Sequence, residues 1–276
     1  MTAQNTYTIC PSCNSAIYSR FCANCGEKKI TQKDLTVKHF LEQAIEGFTH
    51  FDGKFFRSVK TLFINPGLLT SYFEEGKRVL YMKPLQLFIV CNLIFFLLVS
   101  GSNIFMVPLQ KYYAGPRFSN IIDQKVVVKS RFSAFAEIFN QKVTTQSKAF
   151  IILFIPFLAL FMFIFFFKKH KLFSLHLVFS IHFFSFLLIL FTFFHYLIEL
   201  PFLYFFKESY EQFDNFAAIF NLSIFVLYFI LAAKRYYKSH IIWIIFSAIP
   251  LVYFFLLLLQ AYRLFLFYKI IPTIHF

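Results

Sequence analysis

"LFSLHLVFSIHFFSFLLILFTFFHYLIEL", Leu172 to Leu200, contains no Lys, Arg or Asp and meets its first carboxylate only at Glu199. A helix needs about 20 consecutive apolar residues to cross the hydrocarbon of a bilayer, and this run supplies them. Four further runs of similar character flank it: Pro84 to Ser100, Ala149 to Phe167, Phe216 to Ala233 and Ile241 to Tyr262. Strands of a closed membrane barrel alternate lipid-facing and lumen-facing residues, whereas these runs are continuously apolar. The composition agrees: 59% hydrophobic residues and only 14% charged, with 46 phenylalanines among 276 residues, against roughly 25% charged in soluble domains. The expected class is an all-α membrane protein with about five transmembrane helices.

Charge fixes the expected orientation. Lys and Arg in short loops stay on the cytoplasmic side. Lys168, Lys169 and Lys171 separate the second and third runs, and Lys234, Arg235 and Lys238 separate the fourth and fifth. Both loops are therefore expected inside, with the N-terminus cytoplasmic and the C-terminus external. The stretch at about 101–148 then becomes an external loop, although Lys111, Arg117, Lys125, Lys129, Arg131, Lys142 and Lys148 in it oppose that assignment. No basic segment followed by an apolar core and a small-residue cleavage site precedes the first run, so no removable signal is expected. The net charge of +14 follows from these membrane-flanking residues, which makes nucleic acid an unneeded partner; the bilayer is the expected one.

Residues 1–30 have a different character. Cys10-x2-Cys13, eight intervening residues, and Cys22-x2-Cys25 provide four thiolates, the number a closed tetrahedral zinc site takes. Pro11 stiffens the first knuckle, and Gly26 suits the positive φ that ends the second. One structural zinc ion in a miniature ribbon is expected, held by Cys10, Cys13, Cys22 and Cys25. Disulfides fit poorly with a reducing cytoplasm, a redox dithiol lacks its βαβ surroundings, and an iron–sulfur site is the other alternative. Cys91, inside an apolar run, reads as a small buried hydrophobe.

Residues 31–83 join this ribbon to the first span. Val37, Phe40, Leu41, Ala44, Ile45 and Phe48 recur at helical spacing, and Phe55, Phe56, Val59, Leu62 and Phe63 do so again opposite Lys54, Arg57 and Lys60. Two amphipathic helices are expected, lying at the interface or packed on the spans, the second ending at Asn65-Pro66-Gly67. Beyond them Lys77, Arg78 and Lys83 gather where lipid headgroups sit, either as an ordinary positive-inside anchor or as a headgroup or anion site.

The ordered set "FCANCGEK", "HFDGKFFRSVKTLFINPG", "YFEEGKRVLYMKP", "LHLVFSIHFFSF" and "AAKRYYKS" resembles an uncharacterised family of bacterial membrane proteins, domain of unknown function 3667. The resemblance runs from Cys10 to about Leu259. The matching positions are the four ribbon cysteines, Pro66, Gly76, Lys77, Arg78, Pro84, His176 and His182. Leu175 stands where an acidic residue is expected. The resemblance implies an integral membrane protein of the bacterial inner membrane and supplies no activity.

Within residues 84–276, ionisable groups inside spans are candidate functional residues because lipid solvates them poorly. Counting about 1.5 Å per residue from Lys171, His176 lies about 7 Å and His182 about 16 Å into the third run. Being six apart, they point to different faces, and no His-x3-His or His-Glu-x2-His spacing supports a metal hydrolase. His195 and Glu199 share a face near the far end. Asn92 and Asn221 are candidate hydrogen-bonding partners across helices, and with His176 and His182 they make the candidate intramembrane polar site. No set of paired catalytic residues falls on one face, so an enzyme is the third reading. A membrane-anchored adaptor or sensor that meets a cytoplasmic protein through the ribbon is the first, and a small transporter or lipid-handling protein is the second.

Overall fold

The computed structural model describes residues 8–29, 53–99, 107–126, 131–205 and 210–274. The expected amphipathic helix at 37–48 lies outside them. The chain begins with two short antiparallel strands, β1 (Thr8–Ile9) and β2 (Ala16–Ile17), paired through Thr8 with Ile17 and Ile9 with Ala16. An isolated antiparallel bridge pairs Phe21 with Lys28, and the later elements among the described residues are helical.

Helix α1 (Lys54–Ile64) and helix α2 (Leu68–Glu75) form a tight hairpin. The chain turns between them at Gly67, whose φ of 80° lies in the left-handed region that a side chain makes costly. Phe55 and Leu62 are buried in α1, and Val59 and Phe63 pack beside them, as the expected stripe requires. Phe56, assigned to the same stripe, is instead 72% exposed. Helix α2 was not anticipated: its sequence "LLTSYFEE" is too short for helical periodicity to be visible. Gly76, at φ 91°, ends it, with Lys77 N–H bonding the Tyr72 carbonyl, the long-range bond of a glycine-terminated helix.

Helix α3 (Pro84–Leu98), with proline at its first position, comes next. The stretch read as an external loop carries three helices: α4 (Leu109–Tyr113), α5 (Pro116–Asp123) and α6 (Phe132–Ala149). A 3₁₀ turn, Phe150–Leu153, joins α6 to α7 (Phe154–Phe166). Helix α8 (Phe173–Phe194) continues through a π turn, His195–Glu199, into Leu200–Phe205. Pro201 has no N–H to offer the helical ladder, and the Leu200 N–H instead reaches back five residues to the His195 carbonyl. Helices α9 (Tyr210–Tyr237) and α10 (Ile241–Ile270) complete the chain.

Among the described residues, three helical stretches are long and apolar enough to cross a membrane: Phe173–Phe202, Asn215–Tyr237 and Ile241–Thr273. A fourth is reached only if the pair Phe132–Ser147 and Ile151–Phe166, bent by 51°, makes one span. The expected five is therefore not confirmed among the described residues. Helix α3, with 15 residues, extends about 22 Å at 1.5 Å per residue, short of a hydrocarbon core of about 30 Å.

Burial separates the long helices. The window within Phe173–Phe202 is 78% buried, against 28% and 22% in the other two, so α8 is the central post of the bundle. Helices α3 and α7 pack along it, and α2 packs against its first half. Leu197, Ile219, Leu227, Ile242 and Ile249 stay exposed on the periphery, as lipid-facing residues would.

Long-range contacts sort the segments to two ends of the bundle. At one end the ribbon, the α1–α2 hairpin, the α7–α8 turn and the α9–α10 turn meet. Glu74 contacts His170, and Arg235 Nη1 donates to Asn65 Oδ1 at 3.0 Å. At the other end α4 to α6 meet the last turns of α10. There Tyr112 O–H donates to the Arg263 carbonyl and Lys142 Nζ to the Thr273 carbonyl at 3.0 Å.

Candidate functional site

The four cysteines converge. Their sulfurs all lie within 4.8 Å of one another, with Cys10 to Cys25 and Cys13 to Cys22 each at 3.5 Å. Tetrahedral metal–sulfur bonds of about 2.3 Å place sulfurs about 3.8 Å apart, so this spacing fits a metal ion. None of the four is in a disulfide. Local backbone bonds shape each knuckle: Asn14 N–H to the Cys10 carbonyl, and Gly26 N–H to the Cys22 carbonyl. Both turns need positive φ, at Asn14 (58°) and Gly26 (74°); asparagine and glycine are the residues that tolerate it. Hydrogen bonds from the Ser15 side chain and backbone draw the Cys13 thiol down to about 6. The Glu27 backbone N–H lowers the Cys25 thiol, but burial and the neighbouring sulfurs outweigh it and push that thiol up to about 12. Four thiolates this close repel one another, and a cation among them removes the conflict.

The ribbon is not a free module. Glu27, only 2% exposed, lies two residues past the last cysteine. Its Oε2 accepts from Ser12 Oγ at 2.7 Å, from Arg78 N–H at 3.0 Å and from Val79 N–H at 3.1 Å. One carboxylate thus ties the first knuckle to the backbone of the basic turn that leads into α3. That turn is also held by α1: Ser58 Oγ, fully buried, accepts from Met82 N–H at 2.9 Å, and Arg57 donates to the Leu80 carbonyl at 3.3 Å. Nothing in the sequence pattern marked Glu27, because a carboxylate beside a lysine-rich stretch reads as an ordinary surface residue.

Lys77, Arg78 and Lys83 come together on this turn and border a narrow cleft with about 10 Å³ of free space, room for about one water molecule. Leu69, Phe73 and Met82 form much of its wall. The Arg78 guanidinium lies 4.2 Å from the Phe73 ring centre and the Lys77 ammonium 4.6 Å from that of Tyr72, so both cations rest on aromatic faces. Lys77 also pairs with Glu75 at 2.8 Å.

His182 reaches the same cleft from α8. It is 3% exposed, and its Nδ1 pairs with Thr70 Oγ1 at 2.9 Å. Neither Asn92 nor Asn221, its expected neighbours, is that partner. Asn221 donates to the Ala217 carbonyl of its own helix, and Oδ1 of each asparagine is buried with no partner among the described residues. Sequence reasoning missed Thr70 because α2 was not recognised as a helix that enters the bundle. The Nε2 of His182 is likewise buried with no partner among the described residues.

His176 belongs to a second cluster. Its Nδ1 pairs with Tyr237 Oη at 2.9 Å and its Nε2 with the His170 carbonyl at 3.0 Å. The His170 ring stacks on Tyr236 at 4.7 Å, and its Nδ1 lies 3.1 Å from Glu74. Burial pushes the Glu74 carboxyl up, but the hydrogen bond and charge of His170 draw it further down, leaving it below its ordinary range. His176 and His182 therefore serve two different places, as their six-residue spacing requires. At the far end His195 Nδ1 and Glu199 Oε2 pair at 2.8 Å across the π turn.

Residues 52–96 match the family described as a protein of unknown function, DUF3667. The matched stretch takes in the α1–α2 hairpin, the basic turn and most of α3, so it holds all the cleft residues named above except His182. No curated protein and no solved structure matches the chain.

Proposed function

We propose that the chain is a multi-pass protein of the bacterial inner membrane that acts as an anchored adaptor, with a cytoplasmic zinc ribbon presented to a protein partner. The reading has Cys10, Cys13, Cys22 and Cys25 holding one Zn²⁺, an ion suited to four thiolates in a closed site. It has the N-terminus inside and the C-terminus outside. What supports that orientation is the gathering of the ribbon and both short basic turns at one end of the bundle, because retained cations mark the cytoplasmic side.

The observation that carries the adaptor role is an asymmetry of the ribbon. Glu27 is sealed against the basic turn, while Ile9 and Phe21 remain 67% and 52% exposed. A metal-braced module fixed at the membrane with large apolar residues exposed presents a rigid docking surface. The test places a photo-crosslinking residue at position 21 in cells, with Ile9→Ser as the companion variant. The adaptor reading expects one protein crosslinked at that position, lost with Ile9→Ser while zinc content and abundance stay normal. Crosslinks to lipid alone, or a pattern indifferent to Ile9→Ser, would overturn it. Elemental analysis finding iron or no metal would remove the zinc assignment by itself.

A further inference from the structure

Helix α1 presents three sides. Phe55 and Leu62 are buried in the bundle, with Val59 and Phe63 packed beside them. A second side holds the basic turn, where Arg57 donates to the Leu80 carbonyl and Ser58 Oγ accepts from Met82 N–H. The third side is the row Phe56, Lys60 and Ile64, all exposed, Phe56 at 72% and Ile64 at 62%. Residues four apart stack along one edge of a helix, so two large apolar side chains flank a lysine on an edge that nothing else in the chain covers among the described residues. The neighbours of that edge show what it faces. The ring of Phe63, one residue before Ile64, lies 4.8 Å from that of Phe186 and 6.3 Å from that of Phe193 on α8. Phe193 and, one turn on, Leu197 are exposed on a helical stretch long and apolar enough to cross a membrane. The open edge of α1 therefore continues into a surface that meets lipid when α8 spans a bilayer.

We propose that α1 lies in the plane of the membrane at the ribbon end, with its Phe56–Ile64 edge in the boundary between headgroups and acyl chains and with Lys54 and Lys60 on the phosphates of anionic lipids. A basic amphipathic helix seats its apolar side about 5–10 Å into that boundary, and a lysine stem runs along the apolar edge while its ammonium reaches the phosphates. Charge complementarity favours anionic over zwitterionic lipid: α1 carries Lys54, Arg57 and Lys60 and no acidic residue. Arg57 is engaged by the basic turn, whereas Lys54 and Lys60 are exposed and make no ion pair or hydrogen bond among the described residues. One helix thus packs on the bundle and on the bilayer at once, which accounts for the exposure of Phe56. The contact is independent of any protein partner of the ribbon.

The test uses the full-length, metal-loaded protein in nanodiscs of equimolar phosphatidylglycerol and phosphatidylcholine. A fluorescent amino acid replaces Phe56 or Ile64, one at a time. It is challenged with iodide from the water or with lipid brominated high on the acyl chain, the bromine being carried by one lipid class at a time. Acyl bromine should quench both positions and iodide neither. The two brominated lipids should together report about a 3-fold local enrichment of phosphatidylglycerol. The pair Lys54→Gln with Lys60→Gln should abolish that enrichment, and the pair Lys54→Arg with Lys60→Arg should retain it. Quenching by iodide would show that the edge faces water, and protection from both quenchers would place a second copy of the chain over it. Either result would overturn the proposal, as would equal quenching by the two lipids or an enrichment that survives the glutamine pair. Should the glutamine pair not fold, the depth and the lipid preference measured with both lysines in place decide the matter.

Discussion

The two ends of the bundle are held together by different means. At the ribbon end, segments far apart in sequence are joined through single polar groups with demanding geometry: Glu27 to Arg78 and Val79, Ser58 to Met82, Thr70 to His182, Glu74 to His170. At the opposite end polar bonds such as Tyr112 to Arg263 and Lys142 to Thr273 accompany a crowd of rings, with Tyr112, Phe118 and Phe139 around Phe267 and ring centres between 4.8 and 6.3 Å apart. Aromatic crowding is tolerant, because rings of similar volume substitute for one another at modest cost. A buried polar contact is not tolerant, since removing one partner strands the other. The family match, residues 52–96, falls at the ribbon end.

Replacing Gly67 should break that end most severely. A Cβ there would lie 2.4 Å from the Ala232 carbonyl oxygen of α9, a backbone atom that cannot step aside, on a residue with φ of +80°. Adding the left-handed strain to the overpacking, Gly67→Ala should cost about 2–4 kcal/mol. Thermal unfolding in detergent measures it, and a loss under about 1 kcal/mol would mean the hairpin is not seated on α9. Thr70→Val should have a smaller effect, about 0.5–2 kcal/mol, the range for an interhelical hydrogen bond in a membrane protein. If Thr70→Ser matches the unaltered protein while Thr70→Val does not, the hydroxyl and not the volume is responsible.

Acid should distinguish the ends as well. The Glu74 carboxyl lies below its ordinary range, so its contribution to stability is present above the unfolded-state pKa and is lost as pH falls through the folded one. Melting temperatures taken on acidification below about pH 4.3, the reference value for glutamate, should drop more in the unaltered protein than in Glu74→Gln. Equal slopes would remove Glu74 from the account. The smallest effect is expected at the aromatic end: Tyr112→Phe removes one bond to the Arg263 carbonyl and keeps the ring, costing about 0.5–1.5 kcal/mol. It should leave metal content unchanged.

What was legible in the sequence follows the same division. Unbroken apolar length reveals α8, α9 and α10, and the cysteine spacing reveals the four-cysteine cluster, because each is a local property of the chain. The basic turn was legible as a cluster of cations, but not as part of a cleft. His182, which lines it from α8, and Thr70, its hydrogen-bond partner, are 112 residues apart and meet only through tertiary packing. Glu27 was hidden for a related reason, since its partners are backbone amides more than 50 residues away. The far-end helices α4 to α6 were read as a loop because their polar, basic composition resembles one until they are packed against α10.

The four-cysteine ribbon grips the helical domain through Glu27. Hydrogen exchange at the Arg78 and Val79 amides tests it most directly, in the full-length protein with metal bound, after chelation, and in metal-loaded Glu27→Ala. Both amides should exchange slowly with metal bound and much faster in the other two states, reflecting about 1.5–3 kcal/mol for hydrogen bonds to a charged acceptor. Slow exchange that persists after chelation and in Glu27→Ala would contradict the claim.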